Sequence, residues 1–233
     1  MSNKTLIFII IAIIIVCAGG AWYFYWQQTK PLKVTDEQIK MAQQNQQPNQ
    51  QPPDEQTGCK RNFDENKFKN EKLSVAGRQV EVDVKDFGKI SLAFDEKAAP
   101  KTVENFLKLV NAGFYDCLAF HRIIPGFVVQ GGDPDGTGQG GPGFTLPAEI
   151  KLLHKRGSLA MARLGDEINP KRESSGSQFY IALNDLPSLD GQYTVFGKVV
   201  SGMEIVDKIA AVQTNPSGKP ATDVVMSSVK IIK

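Results

Sequence analysis

The sequence predicts an all-β-dominated domain, an antiparallel barrel or sandwich, in the C-terminal part of a 233-residue chain. Two observations lead to this fold class. Short apolar runs broken by glycines follow one another from residue 80 onwards, which is typical of short strands joined by tight turns. Only two segments of this part show apolar residues at helical spacing. An uncharged apolar run and a glutamine- and proline-rich tract precede the domain.

The predicted strands start at residues 80–84, VEVDV, where apolar and polar residues alternate as in a half-buried strand. Asp86-Phe87-Gly88 is a turn signal, and residues 89–94 form the returning strand. Further strands are predicted at residues 127–130, 158–162, 178–183, 193–200 and 224–232. Because the strands are many and short, we expect antiparallel pairing.

Two helices are predicted within this domain. Pro100 occupies a first-turn position that needs no backbone N–H, and Gly113 provides a C-terminal stop. A second amphipathic helix is predicted at residues 203–210. In the first helix, apolar residues share one face, at Val103, Phe106, Leu107 and Val110.

Residues 1–26 are predicted to be an N-terminal transmembrane anchor. Residues 6–26 carry no charge, and a helix of that length reaches about 30 Å, the thickness of a bilayer's hydrocarbon core. Trp22, Tyr23 and Trp26 crowd the far end, where aromatic rings favour the headgroup level. A cleaved signal peptide stays open as the alternative, because Ala18 and the two following glycines are small enough for a cleavage site.

Residues 27–72 are predicted to be a flexible linker, and residues 73–233 the folded domain. The linker contains QQNQQPNQQPPDEQ, a composition that cannot bury enough apolar surface to form a core. A very short tail before a single anchor favours a cytoplasmic N-terminus, which places the domain outside the cytoplasm. Lys30 and Lys33 flank the other end of the apolar run and leave this orientation open.

The composition excludes several classes of function. A formal net charge of +2 is too small to indicate nucleic-acid binding. The three cysteines form no CxxC pair, and the two histidines no HExxH motif, so we expect neither a metal nor a cofactor. GTGQGG, residues 136–141, matches a dinucleotide fingerprint, but Pro142 and Gly143 follow it directly and prevent the helix that such a site requires.

Several longer motifs resemble cyclophilins. They are FHRIIPGFVVQGGD (120–133), GSLAMAR (157–163), SSGSQFYIAL (174–183) and LDGQYTVFGKVVSGMEIVDKI (189–209). PKTVENFLKLV (100–110) is similar to the first helix of that family, and the resemblance covers residues 80–233. It implies an eight-stranded antiparallel barrel capped by two helices. It also implies a peptidyl-prolyl cis-trans isomerase that acts, as a monomer and without a cofactor, on proline-containing polypeptides.

Arg122 matches the family's catalytic arginine. Rotation about a peptide bond meets a barrier of about 18–20 kcal/mol, because the twisted amide loses its resonance. The proline nitrogen then becomes pyramidal and can accept a hydrogen bond. A fixed guanidinium near it favours the twisted state over both ground states. His121 is next to Arg122 and, on strand geometry, points the other way, so we expect it to be structural.

The resemblance also implies a set of substrate-binding residues. Gln130 and Gln178 match positions that hydrogen-bond the substrate backbone, and Ala162 and Arg163 match the edge along which the peptide lies. Gly136 matches a glycine that lines a neighbouring side pocket. The walls of the proline pocket are expected at Phe127, Val128, Tyr180, Leu189 and Tyr193.

The sequence departs from the family pattern near this pocket. Tyr180 replaces a phenylalanine and Tyr193 a histidine found in many members. Ser188 stands where many eukaryotic members have the tryptophan that helps to bind cyclosporin, so weak sensitivity to the drug is expected. A non-catalytic module that binds proline-containing segments is the alternative function. Whether Cys59 and Cys117 form a disulfide stays open, because the sequence does not supply the geometry.

Overall fold

The computed structural model describes residues 59–70 and 72–232. The helices are α1 (Glu65–Asn70), α2 (Pro100–Asn111) and α3 (Met203–Ala210). The strands are β1 (Gln79–Val84), β2 (Gly88–Phe94), β3 (Arg122–Ile124), β4 (Val128–Gly131), β5 (Thr145–Leu146), β6 (Ser158–Met161), β7 (Ser174–Ser175), β8 (Phe179–Ala182), β9 (Val195–Ser201) and β10 (Met226–Ile231). Within these two ranges, no helix combines the length and the apolar character that a membrane crossing requires. The predicted anchor, residues 1–26, lies outside the described residues.

Eight strands form one antiparallel sheet in the order β10-β1-β2-β9-β6-β8-β4-β3. The chain just before β3 closes the sheet by bonding to the chain at the start of β10. There the Phe120 N–H donates to the Val224 carbonyl at 2.9 Å, and the Met226 N–H donates to the Leu118 carbonyl at 2.9 Å. The predicted eight-stranded antiparallel sheet is thereby confirmed. β5 and β7 form a separate two-stranded sheet.

Helices α2 and α3 have the predicted positions. α2 begins at Pro100, packs against β10, and is followed by Gly113, whose φ of +76° favours glycine. α3 spans the predicted residues and packs against β2, β3 and β4, with Val206 and Ile209 buried. The amphipathic spacing was sufficient to locate both helices, since each buries one face against the sheet.

Strands β6 and β8 lie in the middle of the sheet order and are buried at every position. Their alternate residues belong to two different apolar clusters. Leu159 and Phe179 belong to the main core, whereas Ala160 and Tyr180 belong to a second, smaller cluster. Because both faces are covered, neither strand shows the apolar–polar alternation of β1. The second cluster is the part of the fold that forms the candidate site.

A disulfide joins Cys59 to Cys117, with 5.5 Å between their Cα atoms. The pairing that the sequence left open is therefore present. Phe63 packs edge-on against Phe114 at 5.1 Å between ring centroids, and Phe68 of α1 also packs against the main core. Packing against the domain core thus begins within the predicted linker, residues 27–72, because the disulfide and these two rings tie residues 59–70 to the domain.

Candidate active site

Arg122 is the first residue of β3, a three-residue strand that the sequence did not reveal. The hairpin turn at Pro125-Gly126 connects β3 to β4, and Gly126 has a φ of +73°. The hairpin register sets Arg122 opposite Gln130. The guanidinium Nη1 donates a hydrogen bond to the Gln130 side-chain oxygen at 3.3 Å. The half-buried guanidinium makes no other hydrogen bond or ion pair among residues 59–70 and 72–232, so its remaining donors can reach a substrate.

A line of hydrogen-bonded side chains continues from Arg122. The Gln130 amide nitrogen donates to the Gln178 side-chain oxygen at 3.1 Å, and the Gln178 amide nitrogen donates to the Gly140 carbonyl at 2.8 Å. Gln178 is only 5% exposed. Each amide thus has its donor and acceptor roles set by its neighbours, with the orientation assigned from this network. The line fixes both glutamines beside the arginine.

The predicted walls of the proline pocket come together in the second apolar cluster. Its buried members are Val128, Ala160, Tyr180, Ala182, Leu186 and Val195. Partly buried apolar residues pack on them, namely Phe127, Leu152, Ala162, Leu189 and Tyr193. Gln130 lies two positions after Val128 on β4 and pairs in register with Tyr180 on β8. The structure therefore places Gln130 of the polar line beside two of the apolar walls, Val128 on its own strand and Tyr180 on the neighbouring strand.

A cavity of about 520 Å³ adjoins the polar line. Four of the predicted substrate-binding residues line it, namely Gln130, Ala162, Arg163 and Gln178. The glycine-rich segment 138–144 and Ile168 form its other side. Gly136, which was expected to line a side pocket, is not part of this lining, because the turn that begins at Asp133 brings Gly138 and the following glycines to the cavity instead.

The buried carboxylate of Asp133 holds that glycine-rich turn in place. The carboxylate is in a residue only 2% exposed, and it accepts hydrogen bonds from the backbone N–H groups of Asp135, Gly138 and Gly140. The last of these residues provides the carbonyl that Gln178 contacts. This role of Asp133 was not predicted from the sequence, although aspartates at turns commonly accept a hydrogen bond from the backbone N–H two residues on. GTGQGG forms turns and no helix, as the sequence indicated.

Arg163 is held against the pocket rim. Its guanidinium carbon lies 4.7 Å from the centre of the Tyr193 ring, its Nε donates to the Gln192 carbonyl at 2.8 Å, and its Nη1 pairs with Asp166 at 2.6 Å. The backbone of neighbouring Ala162 is already paired. Its N–H donates to the Gln178 carbonyl, and its carbonyl accepts from the Ser175 N–H. A peptide lying along this edge would therefore find its backbone partners at Arg163 and beyond.

His154 is a member of the site that sequence reasoning missed. It is 1% exposed, and its Nε2 lies 2.9 Å from the Tyr180 hydroxyl. Its Nδ1 lies 3.0 Å from a carboxylate oxygen of Asp190. Burial raises the pKa of Tyr180, so this hydroxyl keeps its proton. The added hydroxyl at position 180 is therefore hydrogen-bonded within the protein.

His121 has both ring nitrogens buried and without a hydrogen-bond partner in the described part of the chain. Burial lowers its pKa, Asp133 acts in the opposite direction, and the charge of Arg122 adds to the lowering. The ring faces Gly138. In the described part of the chain, the His121 ring makes no hydrogen bond to the Arg122–Gln130–Gln178 line, and its structural role stays a prediction. No group of three or more His, Cys, Asp or Glu in the described ranges could hold a metal ion.

Known proteins are similar to this chain in sequence. Residues 79–231 match the family described as cyclophilin type peptidyl-prolyl cis-trans isomerase/CLD. Peptidyl-prolyl cis-trans isomerase B of Bacillus subtilis is 48% identical over 130 residues, which cover 54% of this chain and 87% of the relative. A peptidyl-prolyl cis-trans isomerase of Helicobacter pylori is 49% identical over 127 residues, which cover 52% of this chain and 74% of the relative.

A solved structure is also similar. The crystal structure of a cyclophilin type peptidyl-prolyl cis-trans isomerase of Cryptosporidium parvum matches with a TM-score of 0.63 and 34% identity, over 67% of this chain and 98% of that chain. The same protein was crystallised in the presence of the dipeptide ala-pro, and that structure matches with a TM-score of 0.62. On the family match and these likenesses, the chain belongs to the cyclophilin type peptidyl-prolyl cis-trans isomerase family.

Proposed function

We propose that this chain catalyses cis–trans isomerisation of X–Pro bonds in polypeptides. One observation carries the proposal: the Arg122 guanidinium, with free donors, is hydrogen-bonded to Gln130 on the strand that also carries the pocket wall Val128. A charged donor thus lies beside the second apolar cluster, which we propose as the proline pocket. All these residues belong to one chain, so the proposed activity needs no second copy, and we propose that the protein acts as a monomer.

The proposed chemistry requires only a donor and a shaped pocket. In the twisted transition state the proline nitrogen is pyramidal and offers a lone pair, which it does not offer in either planar ground state. A hydrogen bond from Arg122 to that nitrogen stabilises the transition state selectively. Mutagenesis of comparable preorganised donors indicates about 3–4 kcal/mol for such a contact. Because the guanidinium is held by Gln130, it needs little reorganisation during rotation.

Two further parts of the site would hold the substrate. The apolar cluster with Phe127, Tyr180 and Leu189 offers the proline ring a surface from which water is excluded. The glutamine side chains and the strand edge at Arg163 offer hydrogen bonds to the peptide on either side. The Cryptosporidium relative, crystallised in the presence of ala-pro, supports a substrate of this class.

A protease-coupled assay on an X-Pro peptide tests the proposal. Arg122→Ala should lose at least a hundredfold in kcat/KM, because a preorganised donor is worth about 3–4 kcal/mol. Arg122→Lys should recover only part of the activity, since an ammonium lacks the planar fork. Arg78→Ala is the matched control, because the Arg78 side chain donates to the Ser74 carbonyl near the start of β1. Activity of Arg122→Ala equal to that of the control would refute the proposal. A wild-type chain that binds the peptide without accelerating rotation would instead support the binding module.

We also propose that the domain is held at the outer side of a membrane, where it assists the folding of proteins that pass there. The uncharged run at residues 6–26 supports an anchor. The Cys59–Cys117 disulfide supports an oxidising compartment, since such bonds rarely persist in the cytosol. Protease shaving of intact cells should digest the domain, whereas a cytoplasmic marker should survive. Protection of the domain would refute the orientation, and release into the medium would indicate a cleaved signal peptide.

A further inference from the structure

His154 connects two walls of the proline pocket that come from separate parts of the chain. Tyr180 lies on β8, and its hydroxyl meets the histidine Nε2 at 2.9 Å. Asp190 follows the 3₁₀ turn Pro187–Leu189 directly, and one of its carboxylate oxygens meets both the His154 Nδ1 at 3.0 Å and the His154 backbone N–H at 2.7 Å. The Leu186 N–H at the start of that turn donates to the His154 carbonyl at 3.1 Å.

For a neutral imidazole, the donors and acceptors of this chain of contacts fit one assignment. Hydrogen bonds from the His154 backbone and side chain hold the pKa of Asp190 below its ordinary value, so the carboxylate is an acceptor. The proton of the imidazole then lies on Nδ1, facing Asp190, and Nε2 presents its lone pair. Burial keeps Tyr180 neutral, so its hydroxyl donates to Nε2. Each polar atom of the buried ring therefore has its partner.

The rings show that this contact also orients the pocket wall. The planes of His154 and Tyr180 differ by only 6°, with 6.0 Å between centroids. Tyr193 meets Tyr180 edge-on at 6.0 Å and His154 edge-on at 6.3 Å. A tyrosine ring rotates about two bonds, and a hydrogen bond at its far end removes that freedom. The wall is thus fixed at both ends, by β8 and by the histidine.

We propose that His154, oriented by Asp190, is a positioning residue that sets the separation of Tyr180 and Leu189 across the proline pocket. This inference rests on the proposed isomerase function. It accounts for the tyrosine at position 180. Because its hydroxyl is hydrogen-bonded to His154, the pocket surface offered to proline stays apolar. Because the walls hold the proline ring in the ground state and in the transition state alike, loosening them should raise KM more than it lowers kcat.

A double-mutant cycle on the full chain tests this inference. His154→Leu leaves the Tyr180 hydroxyl without a partner, and Tyr180→Phe leaves Nε2 without one. Each single change should raise KM up to about tenfold, the loss expected when one buried hydrogen bond is removed. The double variant should keep KM near the value of either single variant, because the contact is already lost in each. The proposal fails if the two effects on KM simply multiply.

Two controls separate positioning from stability. Tyr115→Phe removes another buried tyrosine hydrogen bond, the 3.1 Å contact with the Ser177 carbonyl in the main core, and should leave KM unchanged at temperatures where circular dichroism shows a folded domain. His154→Gln keeps an acceptor for Tyr180 and a donor for Asp190 and should keep KM within about threefold of wild type. Equal KM changes in Tyr115→Phe and Tyr180→Phe would refute a specific role for His154.

The cycle also distinguishes the failure of this inference from failure of the proposed function. Peptide affinity is measured in parallel by calorimetric titration with an Ala-Pro peptide, which needs no turnover. If the wild-type chain shows no isomerase activity but the affinities are coupled, the positioning role stands and the enzyme assignment falls. If Arg122→Ala abolishes activity while neither KM nor affinity is coupled, only the positioning role is refuted.

Discussion

Breaking the Cys59–Cys117 disulfide should lower the free energy of unfolding by about 4 kcal/mol. The bond closes a loop with a sequence separation of 58 residues. In the loop-entropy account, the loss of unfolded-chain entropy is about 2.1 + 1.5R ln n cal/mol/K, which gives about 4 kcal/mol at 25 °C for a loop of this size. Urea denaturation of the full chain, with and without reductant, measures the difference through the shift of the midpoint.

Other contacts in the folded state determine whether the full decrease in the free energy of unfolding is measured. Residues 59–70 retain other contacts with the domain, including the Asp64 N–H on the Ala112 carbonyl at 2.9 Å and the ring pair Phe63–Phe114. Because these contacts hold the segment in place without the bond, Cys59→Ser should keep the fold. Cys17→Ser, which changes a cysteine outside the disulfide, is the matched control and should respond to reductant like wild type. A difference below about 1 kcal/mol between oxidised and reduced protein would refute the reasoning.

Three other outcomes are expected. Burial lowers the pKa of His121, so its unfolded form binds a proton first as pH falls below the ordinary value of 6.5, and below that pH stability should drop by up to about 1.4 kcal/mol per pH unit. A His121→Asn variant with the same slope in urea denaturation would contradict this. Gln178→Ala breaks the line from Arg122 to the Gly140 carbonyl and should lower kcat/KM about tenfold in the coupled assay without unfolding the domain. Ser188→Trp, on the exposed turn before Leu189, should tighten cyclosporin inhibition roughly tenfold or more in a titration, whereas wild type should bind weakly.

The helices and most strands could be predicted because their patterns are local. α3 needed only apolar residues at helical spacing, and β1 needed only alternation, which the structure reproduces as buried Val80, Val82 and Val84. β3 was missed because it has three residues and owes its conformation to pairing with β4. Helix α1 was missed because it has no buried residue of its own, so it carries no amphipathic signal.

The residues of the candidate site also divide into those that sequence motifs indicated and those that only the folded chain brings together. Arg122, Gln130 and Gln178 lie in long motifs whose family resemblance indicated them, and the structure brings them into one hydrogen-bonded line. His154 lies in KLLHKR, where nothing nearby indicates a partner. Its contacts with Tyr180 and Asp190 span 26 and 36 residues of sequence, so only the folded chain brings them together. Cys59 and Cys117 were visible as residues, but their pairing depends on a distance that the sequence does not contain.

Alternate residues of β6 and β8 belong to two different apolar clusters. Substitutions that affect the stability of the fold therefore fall at different positions from those that affect the pocket. Substitutions at Leu159 or Phe179 act on the main core, and those at Ala160 or Tyr180 act on the smaller cluster. Sequence drift at the second set can therefore reshape ligand preference while the domain keeps its thermal stability. A one-residue insertion in β8 would have the opposite effect, because it would exchange the two sets of side chains in a single step. In related chains, these strands should thus accept exchanges at alternate positions far more readily than any change in length.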